Sequence, residues 1–297
     1  MTLPIGIQAF LTDHTVDVVS IATEAEARGL DSLWLGEHSH MPVGSQHPAT
    51  GAGRLPESYR RFVDPYIALA AAGAATTRLR IGTSTGLPAE HHPLQMAKQV
   101  ASLDHVSAGR FDFGVGYGWN ELEMRNLGVD FSRRRAIVRE KMRAMNALWT
   151  EEVASFDGEF VRFSESWAWP KPVQKPRPPV LVGGPPKDWV LNDILEFADG
   201  WLPILPIDLA ELTATVSRLR ARFASSPRAA VRPQVTALDL QAGVRSRSAD
   251  DFAAALPNRA ALDDLGSAGV DRLVLTVPVT DLDLMRKTMD LVAALTR

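Results

Sequence analysis

Short, almost continuous apolar runs recur along the chain: Ile5–Ile7, Leu33–Leu35, Leu79–Ile81, Phe111–Val115, Val180–Val182, Trp201–Ile204, Val235–Leu240 and Leu273–Val277. Runs this short without polar alternation predict parallel strands buried on both faces. Between them apolar residues repeat at helical spacing. Val18, Ala22 and Ala25 form one such face, and Val138, Met142, Met145 and Trp149 another. Leu209, Leu212, Val216, Leu219 and Phe223 make the clearest stripe, and Leu282, Met285, Met289 and Val292 close the chain. These are the spacings of amphipathic helices that bury one side.

Local chemistry supports the boundaries. Asp64-Pro65 and His92-Pro93 each place a proline at the first helical position. Ser132 is positioned to cap the helix that carries Arg133–Arg135, and Gly29 to stop the first helix. Strand and helix alternate about eight times, which predicts a (β/α)8 barrel; a doubly wound open sheet is the alternative. Two insertions break the rhythm. One, at 36–63 after strand two, is rich in Gly, Pro and His. The other, at 150–179 before strand five, predicts a hairpin (Ala154–Phe156, an Asp157-Gly158 turn, Phe160–Phe163) followed by WAWPKPVQKPRPP, an extended segment lying on the barrel. No domain boundary is visible, so residues 1–297 are expected to form one domain.

Composition narrows the classes. The 297 residues are 45% hydrophobic and 23% charged, with a net charge of −3 and no basic stripe, which disfavours nucleic-acid binding. Cysteine is absent, so disulfides and thiolate sites are excluded. No apolar run approaches the roughly 18 residues that span a bilayer, and the start, MTLPIGIQAF, lacks signal-peptide character; the expectation is a cytoplasmic protein.

In a barrel of this kind the site is built from loops at the strand C-termini. Strand two ends in Glu37-His38-Ser39-His40, strand three in GTSTGLPAEHHP, strand four in GVGYGWNE and strand five in VGGPP. His38 and His40 have the spacing of metal ligands. However, all seven histidines lie in the first 105 residues, and Asp199 and Asp271 precede their strands and so belong to the opposite end. A catalytic zinc usually takes three protein ligands, so no metal is expected. The glycines of GVGYGWNE lack G-x-G-x-x-G spacing and a helix directly after them, so they are no dinucleotide fingerprint; a tight turn or a close approach to an anion both fit.

Several stretches together resemble the luciferase-like monooxygenase superfamily, and within it the coenzyme F420-dependent oxidoreductases. They are LWLGEHSHMP, LRIGTSTGLP…HHPLQMAKQVASLDHVSAGRFDFGVGYGWN, RAMNALWTEEVASFDGEF, WPKPVQKPRPPVLVGG and ADGWLP. The resemblance covers roughly residues 5–203 and is densest through 79–119 and 170–203. It implies a (β/α)8 barrel with a flavin or 5-deazaflavin at the C-terminal mouth. His38 matches the catalytic histidine of such enzymes, preceded by the acid Glu37. Ser84-Thr85 aligns with a bulge that holds a non-prolyl cis peptide behind the ring. Gly116, Tyr117, Gly118 and Trp119, with Val182, Gly183 and Gly184, match loops lining the cofactor. F420-dependent sugar-phosphate dehydrogenases carry a glutamate proton donor where this chain has Trp119, and Glu121 is out of register. Sugar-phosphate oxidation is therefore not expected, and Trp119 is expected to wall an apolar substrate pocket.

The resemblance thus implies hydride transfer between the C5 of coenzyme F420 and a small organic substrate, with His38 handling the proton, and a homodimer; the 36–63 insertion, with its flexible TGAGRLP, is expected to cover the mouth. An FMN-dependent monooxygenase of the same barrel type is the alternative. From another class, a non-catalytic ligand-binding barrel predicts that His38→Ala has no activity to remove.

Overall fold

The computed structural model describes residues 3–46, 55–241, 243 and 246–296. Of TGAGRLP, residues 50–54 lie outside them. In chain order the elements are β1 (Ile5–Ala9), α1 (Val18–Ala27), β2 (Ser32–Leu35), α2 (Pro65–Ala75), β3 (Arg80–Thr83), α3 (Pro93–Val106), β4 (Phe111–Val115), α4 (Glu121–Asn126) and α5 (Arg134–Thr150). Then come β5 (Ala154–Asp157), β6 (Arg162–Ser166), β7 (Val180–Gly183), α6 (Asp188–Phe197), β8 (Gly200–Leu202), β9 (Ile204–Leu205), α7 (Leu209–Ala224) and β10 (Gln234–Asp239). The chain closes with α8 (Ala249–Ala255), α9 (Arg259–Ser267), β11 (Arg272–Thr276) and α10 (Leu282–Ala294).

The parallel pairs run β1–β2–β3–β4–β7–β8–β10–β11, and β11 returns to β1 with Ile5 opposite Leu273. This is a closed (β/α)8 barrel; the open sheet is excluded. The sixth stave departs from a single run over 201–204. Pro203 has no N–H to give, so β8 stops at Leu202 and the short β9 resumes beside β10, while the Pro203 carbonyl accepts from Leu238 N.

Alternate residues of each strand explain the two cores. Outward residues such as Leu33, Leu35, Phe113, Val115 and Val182 pack under the helices. Inward, Trp34 fills the barrel with Leu181, Leu202, Leu238 and Val274. The indole fits because Gly82 faces it, where a Cβ would lie 2.6 Å from the ring. Below, Asp112 pairs with both Arg80 and Arg272, and Arg272 also reaches Asp31, closing the base.

Asp64 caps α2 by accepting from Ile67 N with Pro65 first in the helix, and Gly29 turns the chain after α1 at φ +72°. Four details differ from expectation. Asp130 rather than Ser132 caps, because its carboxylate takes both the N–H and hydroxyl of Ser132; a 3-10 turn (Phe131–Arg133) precedes α5. Ile21 supplies the buried face of α1, with Val18 only half-buried. Leu209 and Leu282 open their helices and overhang the core, 41% and 38% exposed. In the hairpin β6 begins at Arg162, because the buried Glu140 carboxylate gathers the N–H groups of residues 159–161 into the turn.

Candidate active site

The mouth is organised by an irregularity at the end of β3. Gly82 pairs with Asp112 and Gly86 with Val115, so three residues on one strand span two on the other. That is a β-bulge, the usual device for re-aiming a strand end next to a site. Its Ser84–Thr85 bond is cis. Ser84 N donates to Leu35 O at 2.7 Å, and Gly86 and Gly116 exchange hydrogen bonds with β4 and the bulge at 2.8 Å. Thr85 is wedged between the ends of two further strands. A Cβ on Gly116 would lie 2.3 Å from Thr85 Oγ1, and one on Gly183 2.8 Å from Thr85 Cγ2. Only glycine permits that approach. The predicted bulge and glycine loops therefore meet on one rim.

Glu37 and His38 share the rim but do not pair with each other. They form two separate carboxylate–imidazole pairs. Glu37, buried, takes His91 Nε2 at 2.5 Å and Leu87 N at 2.6 Å, with Tyr66 Oη at 3.4 Å. Burial alone would lower the His91 pKa; the bond to Glu37 outweighs it, and the pKa is raised. His38 Nδ1 lies 2.7 Å from Oε2 of Glu123 on α4, whose Oε1 accepts from Ser39 N at 2.9 Å. The Glu123 side chain is fully buried and that of His38 is 7% exposed. Burial raises the Glu123 pKa, but the His38 bond and charge and the N–H groups of Ser39 and His40 dominate, and the pKa is lowered. An ionised carboxylate only accepts, so His38 carries its neutral-form proton on Nδ1 and leaves Nε2 as a free base.

Aromatic rings frame that imidazole. Phe62 stacks on it at 5.7 Å, Tyr59 lies at 5.6 Å, and Trp119 meets it edge-on at 5.2 Å; Phe10 backs Phe62 at 5.6 Å. This wall is apolar on one side of the imidazole. Gly36 opens beside it. Among the described residues a Cβ there would have only Ser84 O at 3.5 Å and Phe62 Cε2 at 4.0 Å as neighbours, and the buried Ser84 Oγ has no hydrogen-bond partner. An open cradle beside an orphaned hydroxyl fits a flat, polar-edged ring.

Other expected residues face elsewhere. The Val182 side chain packs outward under the helices. Tyr117 turns its ring to Trp189 and donates to Asp193 Oδ2 at 2.7 Å, so only its backbone faces the mouth. Gly118 has φ +75° and lies against Met124. Gly184 accepts Trp201 Nε1 at 2.9 Å, and Trp201 is fully buried packing. His38 and His40 do not converge; His40 bonds Ser39 Oγ and Asn126 Nδ2. Among the described residues no group of three or more His, Asp or Glu is arranged around a metal position. Arg133 pairs with Glu159, Arg134 stacks on Phe131 and Arg135 on Trp189.

Sequence reasoning misses Glu123, Glu90 and Lys141. The only signal for Glu123 is an acid in the first turn after Asn120, which reads as ordinary helix-start charge. Glu90 is pushed up to about 8 by burial and then by the charges of Glu123 and Glu37, and Lys141 down to about 8 by burial.

A family model described as luciferase-like monooxygenase matches residues 4–266. The uncharacterized protein Rv0953c of Mycobacterium tuberculosis is 41% identical over 277 residues, covering 86% of this chain and 97% of that protein. The FMNH(2)-dependent dimethylsulfone monooxygenase of Pseudomonas putida is 30% identical over 200 residues, covering 65% of this chain and 54% of that one. Among solved structures, an F420-dependent secondary alcohol dehydrogenase in complex with an F420-acetone adduct matches at TM-score 0.74, covering 100% of each chain at 16% identity, a likeness of fold.

Proposed function

This chain belongs to the luciferase-like monooxygenase family, and from that premise we propose that it is a coenzyme F420-dependent oxidoreductase. In this reading a hydride passes between the deazaflavin C5 and a small, mostly apolar organic substrate. The observation that carries it is the His38–Glu123 pair, which presents a free Nε2 beside an apolar wall. Adding a hydride to a carbonyl, or removing one from an alcohol, must be matched by a proton at oxygen, and an imidazole near neutrality is suited to that exchange.

Gly36, Ser84, Thr85, Gly116 and Gly183 would hold the ring and its tail, with the Ser84 hydroxyl free to bond a ring edge. When bound, the deazaflavin supplies a two-electron donor or acceptor. His38 takes or gives the proton at Nε2. Glu123 fixes the tautomer and balances the charge when the imidazole is protonated. Glu37 acts through His91 and Leu87 N, holding the loop after β3 in place. Trp119, Tyr59, Phe62 and Phe10 exclude water from one side.

A second reading, an FMN-dependent monooxygenase, is favoured by the Pseudomonas putida relative. Titrating the pure protein with F420 and FMN, each oxidised and reduced, separates the two. Binding of F420 is expected, and His38→Ala is expected to keep binding while losing turnover. Tight FMN binding with no F420 binding rejects the first reading. A cytoplasmic homodimer of one-domain subunits belongs to the same proposal. In its support, α2 is apolar all round and leaves Ile67 72% exposed. No helix among the described residues is long and apolar enough to cross a membrane.

A further inference from the structure

The turn that follows the bulge is tied to the site by one carboxylate. Glu37 takes Leu87 N at 2.6 Å at its start and His91 Nε2 at 2.5 Å near its end. The third partner of Glu37, Tyr66 Oη, lies under the bulge itself, where a Cβ on Gly86 would stand 2.6 Å from it. Between those ties the chain makes one 3-10 turn, Pro88–Glu90, and then enters α3 at Pro93. Two carbonyls are left over at that junction. Leu87 O and Pro88 O accept within the 3-10 turn and His92 O accepts from Met96 N in α3, whereas Ala89 O and His91 O take no backbone bond among the described residues. Lys141, near the middle of α5, supplies their donor: its Nζ lies 2.7 Å from each. The residue before it does the converse for the hairpin, since Glu140 gathers the N–H groups of residues 159–161. Between turn and hairpin lies a chamber of about 330 Å³, lined by Glu90–Pro93 on one side and Phe160–Phe163 on the other. The turn therefore has open space behind it, and packing alone does not hold it in place.

We propose that Lys141 is the positioning residue that sets the cofactor slot. This deepens, and rests on, the reading that the ring lies on the bulge. Each link is a direct contact. Lys141 fixes the carbonyls of Ala89 and His91; the fixed turn keeps the His91 ring on Glu37; Glu37 holds Leu87 N, the first residue past Ser84-Thr85-Gly86. Without the ammonium, two carbonyls at the edge of the chamber lose their donor and gain by turning out to water. That swing takes His91 off Glu37 and frees the bulge from its outer side. The His38–Glu123 pair shares no hydrogen bond with this chain of contacts, so its tautomer is independent of Lys141.

The test compares wild type with Lys141→Met, which keeps the stem and removes the donors. Hydrogen exchange of the full chain without cofactor, read by mass spectrometry, should speed up about tenfold or more in the peptide covering residues 86–92, the fold-change that loss of one charge-assisted bond carries. A peptide over β11 should exchange as in wild type, and the 15N shifts of the His38 ring should not move. F420 titration should show affinity falling about tenfold or more. The chain has no cysteine, so Lys141→Cys carries a single thiol, and aminoethylation of it rebuilds a lysine-length ammonium. That product should recover both readings. Unchanged exchange at 86–92, or unchanged F420 affinity, in a folded Lys141→Met protein overturns the proposal, as does failure of the aminoethylated protein to recover. Should Lys141→Met not fold, Lys141→Gln, polar but one bond too short to reach both carbonyls, decides by the same two readings. If wild type takes FMN and no F420, the proposed function is rejected and the FMN affinities of these variants decide the role of Lys141; if it takes neither, both fall.

Discussion

Replacing Glu123 by glutamine is the sharpest perturbation of the site, because it preserves shape and removes charge. The carboxylate is fully buried and accepts three hydrogen bonds, from His38 Nδ1 at 2.7 Å, Ser39 N at 2.9 Å and Ser39 Oγ at 3.3 Å. In Glu123→Gln one oxygen becomes an NH2 group, so either the His38 or the Ser39 N–H meets a donor. Losing one charge-assisted bond costs about 1.5–3 kcal/mol, and a stranded buried donor about 1–3 kcal/mol more. The imidazole can shed part of this by moving its proton to Nε2. A net loss of about 2–3 kcal/mol at pH 7 is expected, read by urea unfolding with an unchanged m-value. Because the folded Glu123 pKa is depressed, its contribution is complete above the ordinary carboxylate range and lost as pH falls through the folded value. The gap between wild type and variant should therefore shrink in acid. Ring 15N shifts of His38 should report Nδ1–H in wild type and a mixture in the variant. A stability change under about 0.5 kcal/mol together with an unchanged tautomer would refute the reasoning.

Three further outcomes follow from packing and charge. Gly116→Ala pushes a methyl against Thr85 at the bulge and should weaken F420 binding about tenfold or more in a titration, the equivalent of about 1.4 kcal/mol of misfit, while the protein stays folded. Gly82→Ala drives a Cβ into the Trp34 ring and should cost about 1–3 kcal/mol, seen as a lower Tm. Arg177→Ala removes a buried guanidinium from Asn146, Pro178 O, Phe197 O and Asp199; a loss of about 3 kcal/mol in urea unfolding is expected, at the low end for a buried pair because Arg228 still holds Asp199.

The barrel is legible in the sequence because its strands are buried on both faces and write themselves as unbroken apolar runs. The eighth repeat, Leu273–Val277, falls opposite the first and closes the ring. What periodicity overestimates is the reach of a stripe: Leu209 and Leu282 keep the rhythm but stand in a first turn that projects past the core. At the site, strand-end glycines and His38 are local features and stand out in the chain. The partner of His38 does not. Glu37 is adjacent in sequence, but consecutive residues at a strand end point to opposite sides, so it bonds His91 while Glu123, 85 positions from His38, makes the contact. Glu90 is equally silent, since its charge state is set first by burial and then by carboxylates brought from elsewhere, Glu123 of α4 and Glu37 after β2. Pairing across loops is a property of closure, and no window of sequence contains it.

The indole of Trp34, seated over the Asp112 ion cluster, gives this vessel a floor and no rear exit. A guest entering from the strand C-termini stops at that indole, so under the proposed function the one that settles deepest lies beneath the one that arrives later. If the proposed cofactor lies on the bulge, that stacking gives an ordered visit: cofactor first in, product first out.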